Sequence, residues 1–212
     1  MTPTRLCFVR HGETAWNAER RIQGQLDVPL SPAGHAQARA TANSLAEQAF
    51  AAVYASDLSR ARQTAEAITH GLKLPVRLEP DLRERHYGVF QTRTYDEMRR
   101  DYPREYARFE AREIDFALPG GGESLRRFAD RAMRCVERIV AAHAGGQVLI
   151  ATHGGVLDIL YRHAAGKPLV APRDVEIPNA ALNWLEVADG RWAVLSWADC
   201  GHLTAALDEL PG

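Results

Sequence analysis

The sequence predicts an α/β protein, a three-layer α/β/α sandwich around a mostly parallel sheet with at least one antiparallel strand. Three observations point there. Short apolar runs alternate with helical patterns along most of the chain, the order that covers a parallel sheet on both faces. The last two apolar segments instead flank Asp189-Gly190, a two-residue hairpin signal that requires an antiparallel pair. The 212 residues, 46% hydrophobic and 25% charged, suit a globular chain that can bury a full core without staples.

Each element has its own justification. Leu6–Val9 is a short apolar run ending in a polar cluster, as a buried strand looks when it delivers residues to a site. Ser31-Pro32 supplies an N-cap and a first-position proline for an alanine-rich helix from Ala33 to Gln48. Ala52–Ala55 reads as a second strand, Ser59 to Gly71 as a helix stopped by its glycine, and Val76–Leu78 as a third strand. Residues 80–122 carry Pro80, Pro103, Pro119 and three consecutive glycines, so loops around one or two short helices near Tyr95–Glu110 are expected.

Ser124 caps the clearest helix, in which Leu125, Phe128, Ala132, Cys135, Val136, Ile139 and Val140 recur at helical spacing before Gly145-Gly146. Gln147–Ala151 is a strongly apolar strand, followed by Thr152-His153-Gly154-Gly155 and a helix to Ala165. Leu182–Val187 and Trp192–Trp197 form the closing hairpin. No repeat, low-complexity tract or long linker divides this order. A single domain over 1–212 is expected, with an irregular insert at about 85–123 that shapes a site.

The charge balance narrows the function classes. Lys+Arg number 26 against 27 Asp+Glu, a net charge of −1. That argues against nucleic acid as a partner and against a polybasic membrane anchor. Only Lys73 and Lys167 are lysines, so 24 of the cations are arginines, the residue suited to planar, bidentate gripping of phosphate or carboxylate. Cys7, Cys135 and Cys200 are odd in number, widely spaced and without a CxxC pair. They read as reduced thiols, the first two as core fillers. Neither a secretory h-region nor an 18-residue apolar span is present, which places the expected location in the cytoplasm.

Two apolar strands end in histidine: Arg10-His11-Gly12-Glu13-Thr14 and Thr152-His153-Gly154-Gly155. Ligands of open α/β sheets bind at the carboxyl ends of strands, so the two histidines can share one edge. A metal held by both and a carboxylate is one reading. The chain has no HExxH and no short His-x-His pair, however, and Arg10 beside His11 would repel a divalent cation. An anion fits better. Arg60, after Ser56-Asp57-Leu58-Ser59, can reach the same edge, and Gly154-Gly155 opens a helix whose N-terminus favours phosphate. Glu84, in the irregular stretch after the third strand, offers a proton donor.

These residues fall into ordered blocks that resemble the histidine phosphatase superfamily, the phosphoglycerate-mutase-like fold. Arg10-His11-Gly12-Glu13-Thr14 with Trp16-Asn17, Gln23-Gly24 and Leu30-Ser31-Pro32-Ala33-Gly34 is similar to its first block. Ser56 to Ala65 is similar to its second, Glu84 with Gly88 to its third, and Thr152-His153-Gly154-Gly155 to its fourth. The resemblance implies that His11 is the nucleophile that becomes phosphohistidine, that Arg10, Arg60 and His153 hold the transferring phosphoryl group, and that Glu84 is the proton donor. It further implies that Asn17 and Gln23 line the pocket and that neither metal nor organic cofactor takes part; Gly24, Tyr87 and Gly154 are further expected substrate contacts. The chemistry asks for a neutral His11 with one free lone pair and its other nitrogen on an acceptor.

Within that family the acceptor of the phosphoryl group is water or a second hydroxyl. Glu84-Arg85-His86-Tyr87-Gly88 is similar to the mutase version of the third block. Tyr95, however, stands where a cofactor-dependent mutase would carry a lysine, and the chain is short for the mutase insert. Arg99-Arg100 and Arg126-Arg127 are candidates to replace the paired arginines that grip a mutase substrate's carboxylate. Pro119-Gly120-Gly121-Gly122-Glu123-Ser124 resembles the smaller phosphatase-type members.

The expected activity is therefore phosphomonoester hydrolysis of a small phosphorylated metabolite. Phosphoglycerate mutase is the alternative, and a non-catalytic scaffold ranks lower. Arg85, His86 and Tyr87 are the expected rim contacts. Trp184, Trp192 and Trp197 suit either the core or a homodimer interface on the edge hairpin.

Overall fold

The structure, a computed structural model, describes residues 2–203. In chain order the elements are β1 (Thr4–Arg10), α1 (Ala15–Ala18), α2 (Pro32–Ser44), β2 (Ala52–Ala55), α3 (Ser59–Leu72), β3 (Val76–Leu78), α4 (Tyr95–Asp101), α5 (Pro103–Glu110), α6 (Leu125–Ala142), β4 (Gln147–Thr152), α7 (Gly154–Ala164), β5 (Leu182–Ala188) and β6 (Arg191–Asp199). Six strands form one sheet in the order β3-β2-β4-β1-β5-β6. The pairs β3–β2, β2–β4 and β4–β1 are parallel, and β1–β5 and β5–β6 are antiparallel. Only β5 runs against the other five, so the sheet is mostly parallel as expected.

Strand alternation divides the core into two layers. Leu6, Phe8, Val148 and Ile150 point to one face, where Phe128, Cys135 and Ile139 of α6 and Val156, Leu157 and Leu160 of α7 cover them. Cys7, Val9, Leu149 and Ala151 point to the other, where they meet Ala65 and Ile68 of α3 and Leu45 at the end of α2. Helices thus leave the neighbouring strands β1 and β4 toward opposite faces, which opens a crevice between their carboxyl ends. Burial leaves the Cys7 thiol well above its usual range, in keeping with a core filler.

Local caps follow the sequence signals. The Ser31 hydroxyl accepts from Gly34 N–H and starts α2, with Pro32 in its first turn. The Ser124 hydroxyl accepts from Arg127 N–H and starts α6.

Three expectations need correction. Gly71 does not stop α3: the helix runs to Leu72 and ends at Lys73, which takes the left-handed conformation at φ 55°. The helix expected to reach Gln48 ends at Ser44, where Leu45 turns into the core. The insert is more than a site-shaping loop. Phe90, Met98, Tyr106 and Leu118 bury one another in a small cluster of their own, and α4 begins with a capping box between Thr94 and Glu97.

The hairpin tryptophans pack on their own chain. Trp184 stacks on Phe50 with ring centroids 6.2 Å apart, and Trp197 meets Tyr161 at 4.8 Å. Among the described residues, no helix is long and apolar enough to cross a membrane.

Ser124→Ala removes the α6 cap bond. It is expected to lower the unfolding free energy by about 1 kcal/mol, read as a lower urea midpoint at unchanged slope.

Candidate active site

The sheet register assembles the site. Arg10 pairs with Thr152 across β1 and β4, and His11 N–H donates to Thr152 O at 2.9 Å. Ala55 pairs with Ala151 across β2 and β4, and Ser56 N–H donates to Ala151 O. Three parallel strands therefore end level and deliver Arg10-His11, Thr152-His153 and Ser56 to one edge. The Thr152 hydroxyl donates to Leu82 O at 2.9 Å and draws the segment carrying Glu84 over the same edge. The turn after β1 packs tightly. A Cβ on Gly12 would stand 2.5 Å from Gly34 O at the start of α2, so only glycine fits.

His11 is 4% exposed, and its Nδ1 lies 2.7 Å from Gly12 O. A carbonyl can only accept, so Nδ1 carries the proton and Nε2 keeps a bare lone pair. Burial, then the fields of Arg60 and Arg10, hold its pKa well below the usual histidine range, outweighing the opposing Gly12 bond. His153 is fully buried with its ring 5.2 Å from that of His11, and its Nε2 lies 2.8 Å from Ser56 Oγ. Burial, Arg60 and then His11 depress its pKa in the same way.

Two guanidiniums flank the pair. Arg60 is 1% exposed, and its terminal nitrogens donate to Leu26 O at 2.8 Å and Gly24 O at 2.7 Å. Burial pushes its pKa down to about 10 against the attraction of Glu84. Arg10 donates through Nη1 to Ile177 O. The buried side-chain atoms without a partner among the described residues are Arg10 Nε, Arg60 Nε, His153 Nδ1 and Gln23 Oε1, all of this site. Such groups are rare in folded chains; the two guanidinium Nε–H donors suit an anion with several oxygens, whereas Gln23 Oε1 accepts and suits a donor on the ligand.

Glu84 faces them. Its Oε1 accepts from Arg85 N–H at 2.7 Å and its Oε2 from Gly155 N–H at 2.8 Å. The first turn of α7 thus holds the carboxylate, a correction to its expected role as part of the phosphate cup, although Gly154 still lines the cleft. A Cβ on Gly155 would lie 2.0 Å from Glu84 Oε1, so glycine there is what lets the carboxylate approach. Arg131 ties the backbone of the segment down. It donates to Asp81 O, Arg83 O and Glu84 O and pairs with Glu123 at 2.8 Å.

Arg10, His11, Asn17, Gln23, Gly24, Arg60, Glu84, Tyr87 and Gly154 all line one cleft of about 300 Å³, and His153 lies buried beside His11. Asn17 Oδ1 accepts from Thr14 N–H at 3.1 Å, which leaves its amide nitrogen for the cleft. Other expectations fail. Arg85 donates to Glu123 O at 2.8 Å and borders a neighbouring cavity, and His86 Nδ1 accepts from Gly88 N–H, so of the three expected rim residues only Tyr87 borders the cleft itself. Arg99 and Arg100 pair with Asp96 and Asp101 on the surface, and Arg126 with Asp115, away from the cleft.

Sequence reasoning missed Trp16, Arg20, Arg21, Ile22, Tyr95 and Arg173 as lining residues. It also missed Asn179, whose amide donates to His11 O at 2.9 Å. Trp16 and Ile22 lie inside the first motif and were within reach. Arg173 and Asn179 sit on the aperiodic 165–181 connection, which carries no local signal. Among the described residues, no group of three or more His, Cys, Asp or Glu is placed to hold a metal ion.

Comparisons with known proteins identify the family. The family model of the histidine phosphatase superfamily, branch 1, matches residues 6–200. Phosphoglycerate mutase-like protein 4 of Arabidopsis thaliana is 44% identical over 202 residues, 93% of this chain and 86% of that protein. The metal-independent phosphoserine phosphatase of Arabidopsis thaliana is 41% identical over 209 residues, 95% of this chain and 84% of that protein. The solved structure of YhfR from Bacillus stearothermophilus superposes with a TM-score of 0.87 at 35% identity, covering 94% of this chain and 99% of that one.

The buried neutral histidines link stability to pH. In the unfolded chain they titrate near about 6.5, whereas in the folded chain they resist protonation. Below that pH the unfolded state binds more protons, so stability falls with acidification until the folded pKa values are reached. The loss is up to about 1.4 kcal/mol per pH unit for each histidine. The urea midpoint is expected to drop between pH 7.5 and 5, with a shallower drop in His153→Gln. A pH-independent midpoint would contradict the assignment.

Proposed function

The chain belongs to the histidine phosphatase superfamily, branch 1, and on that footing we propose that it is a phosphomonoesterase that hydrolyses a small phosphorylated metabolite through a phosphohistidine on His11. The observation that carries this reading is the neutral His11, its bare Nε2 sharing one cleft with Arg10 and Arg60, whose buried Nε groups have no partner among the described residues.

In the first step Nε2 attacks phosphorus. A P–N bond forms, the P–O bond to the leaving group breaks, and protonated Glu84 gives its proton to the departing oxygen. Arg10, Arg60 and His153 neutralise the three peripheral oxygens as charge spreads over them. In the second step water attacks phosphorus and gives a proton to the Glu84 carboxylate. The P–N bond breaks, and inorganic phosphate leaves with His11 neutral again. Asn17, Gln23, Gly24, Tyr87 and Gly154 contact the substrate around this centre.

The mutase alternative draws on the name of the 44% identical relative. Water is the better acceptor here. Tyr95 rather than a lysine borders the cleft, and the insert's arginine pair is turned to the surface.

Wild-type protein is expected to turn over p-nitrophenyl phosphate and to form an acid-labile, base-stable phosphoenzyme, both lost in His11→Ala. Free phosphate is expected as the product from 3-phosphoglycerate, and isomerisation to 2-phosphoglycerate faster than hydrolysis would overturn the choice of water. Glu84→Gln is expected to lower kcat by about 10²–10⁴-fold while phosphate still binds. An unchanged kcat would remove Glu84 from the mechanism.

A further inference from the structure

Arg173 is an arginine that the phosphoryl chemistry leaves without a task. It sits on the connection between α7 and β5 and borders the cleft next to Tyr87 and Tyr95. Together with those tyrosines and Gly155 it also borders a second cavity of about 310 Å³, walled by Phe109 of the insert and Ile159 of α7. The two spaces share these four residues, so the cleft at His11 adjoins the second cavity beside Arg173.

The placement of this guanidinium is built from the core outward. Asp158 on α7 is 3% exposed, and its carboxylate accepts from Arg162 Nε at 3.1 Å, Arg112 Nη2 at 2.9 Å and Arg173 Nε at 3.2 Å. Arg162 also donates to Pro168 O and Arg112 to Leu169 O, which fastens the start of the connection to α7 and the insert. One negative charge thus balances three positive ones. Arg162 is buried, and Arg112 has already used Nε and Nη2. Arg173, its side chain 47% exposed, uses only Nε, and no described residue accepts from either of its terminal nitrogens. Asp158 and Glu84 both attract its charge, and its field also reaches Arg10 at the phosphoryl site.

A guanidinium with its two terminal nitrogens open is a planar fork that matches one carboxylate. A second phosphoryl group would call for several cations, as the two arginines and two histidines at the inner site illustrate. Resting on the hydrolytic reading above, we propose that the substrate is a phosphomonoester that also bears a carboxylate, and that Arg173 holds this carboxylate where the cleft meets the second cavity.

Matched substrate pairs test the assignment. O-phosphoserine and O-phosphoethanolamine differ only in the carboxylate, and 3-phosphoglycerate and glycerol 3-phosphate differ in carboxylate against hydroxymethyl. Wild-type kcat/KM is expected to favour the carboxylated member of each pair by roughly tenfold or more, the worth of one charge-assisted bidentate bond. Arg173→Ala is expected to bring both ratios toward one, chiefly through KM. Arg173→Lys, which keeps the charge but loses the fork, is expected to leave a reduced preference. Equal rates within each wild-type pair, or ratios unmoved in both variants, would overturn the proposal. Absence of wild-type p-nitrophenyl phosphate turnover would instead strike the hydrolytic reading, so the two failures are distinguishable.

Discussion

The parallel pairing of β1 with β4 is the constraint on which the site depends. These strands are far apart in sequence, yet their register puts Arg10 opposite Thr152 and so sets His11 beside His153 with 5.2 Å between ring centres. A slip of one residue would turn Leu6 and Phe8 off the α6–α7 layer and exchange them with Cys7 and Val9. The hydrophobic packing of both faces therefore protects the register, and the register protects the chemistry. Because the strands end level with β2, the hydroxyl of Ser56 arrives as the partner of His153 at 2.8 Å.

Onto this edge the fold concentrates positive charge and then withholds a proton. Arg60 lies nearly out of water with both terminal nitrogens on main-chain carbonyls, and the partly buried Arg10 gives one terminal nitrogen to a carbonyl, so that both keep a buried Nε without a partner among the described residues. The same burial and the same arginines keep both imidazoles neutral. A base that stays unprotonated beside two cations can act as a nucleophile, and those cations attract the phosphoryl group it attacks. Glu84 lines the same cleft and sits where the N–H of Gly155, itself permitted by the missing side chain, can hold it.

Much of this was legible in the sequence, for identifiable reasons. Strand-end histidines followed by glycine, an arginine in the first turn after β2 and a serine-capped helix are local signals, and the structure brings His11, His153, Arg10, Arg60 and Glu84 together. Other features were not legible because they are decided by partners distant in the chain. Whether Arg85 faces substrate or Glu123 O depends on a contact 38 residues away. The arginine pairs of α4 and α6 could not be told from cleft residues until the helices showed which faces they bury. Arg173 and Asn179 lie on an aperiodic connection whose course is set by Asp158 and by the end of β1, and nothing in their neighbourhood announces them. The insert's own apolar cluster was hidden for the same reason, since Phe90, Met98, Tyr106 and Leu118 share no single period.

The single carboxylate of Asp158 under three arginines makes the outer part of this protein changeable in a particular order. Loss of Arg173 leaves Asp158 with two partners, Arg112 and the buried Arg162. Loss of Asp158 strands a buried Arg162 without its counter-charge and unfastens Pro168 and Leu169 at once, a step of the costly kind. Diversification of what this scaffold accepts would therefore run through the rim arginine first, with the aspartate beneath it acting as a fixed post around which successive solutions are tried.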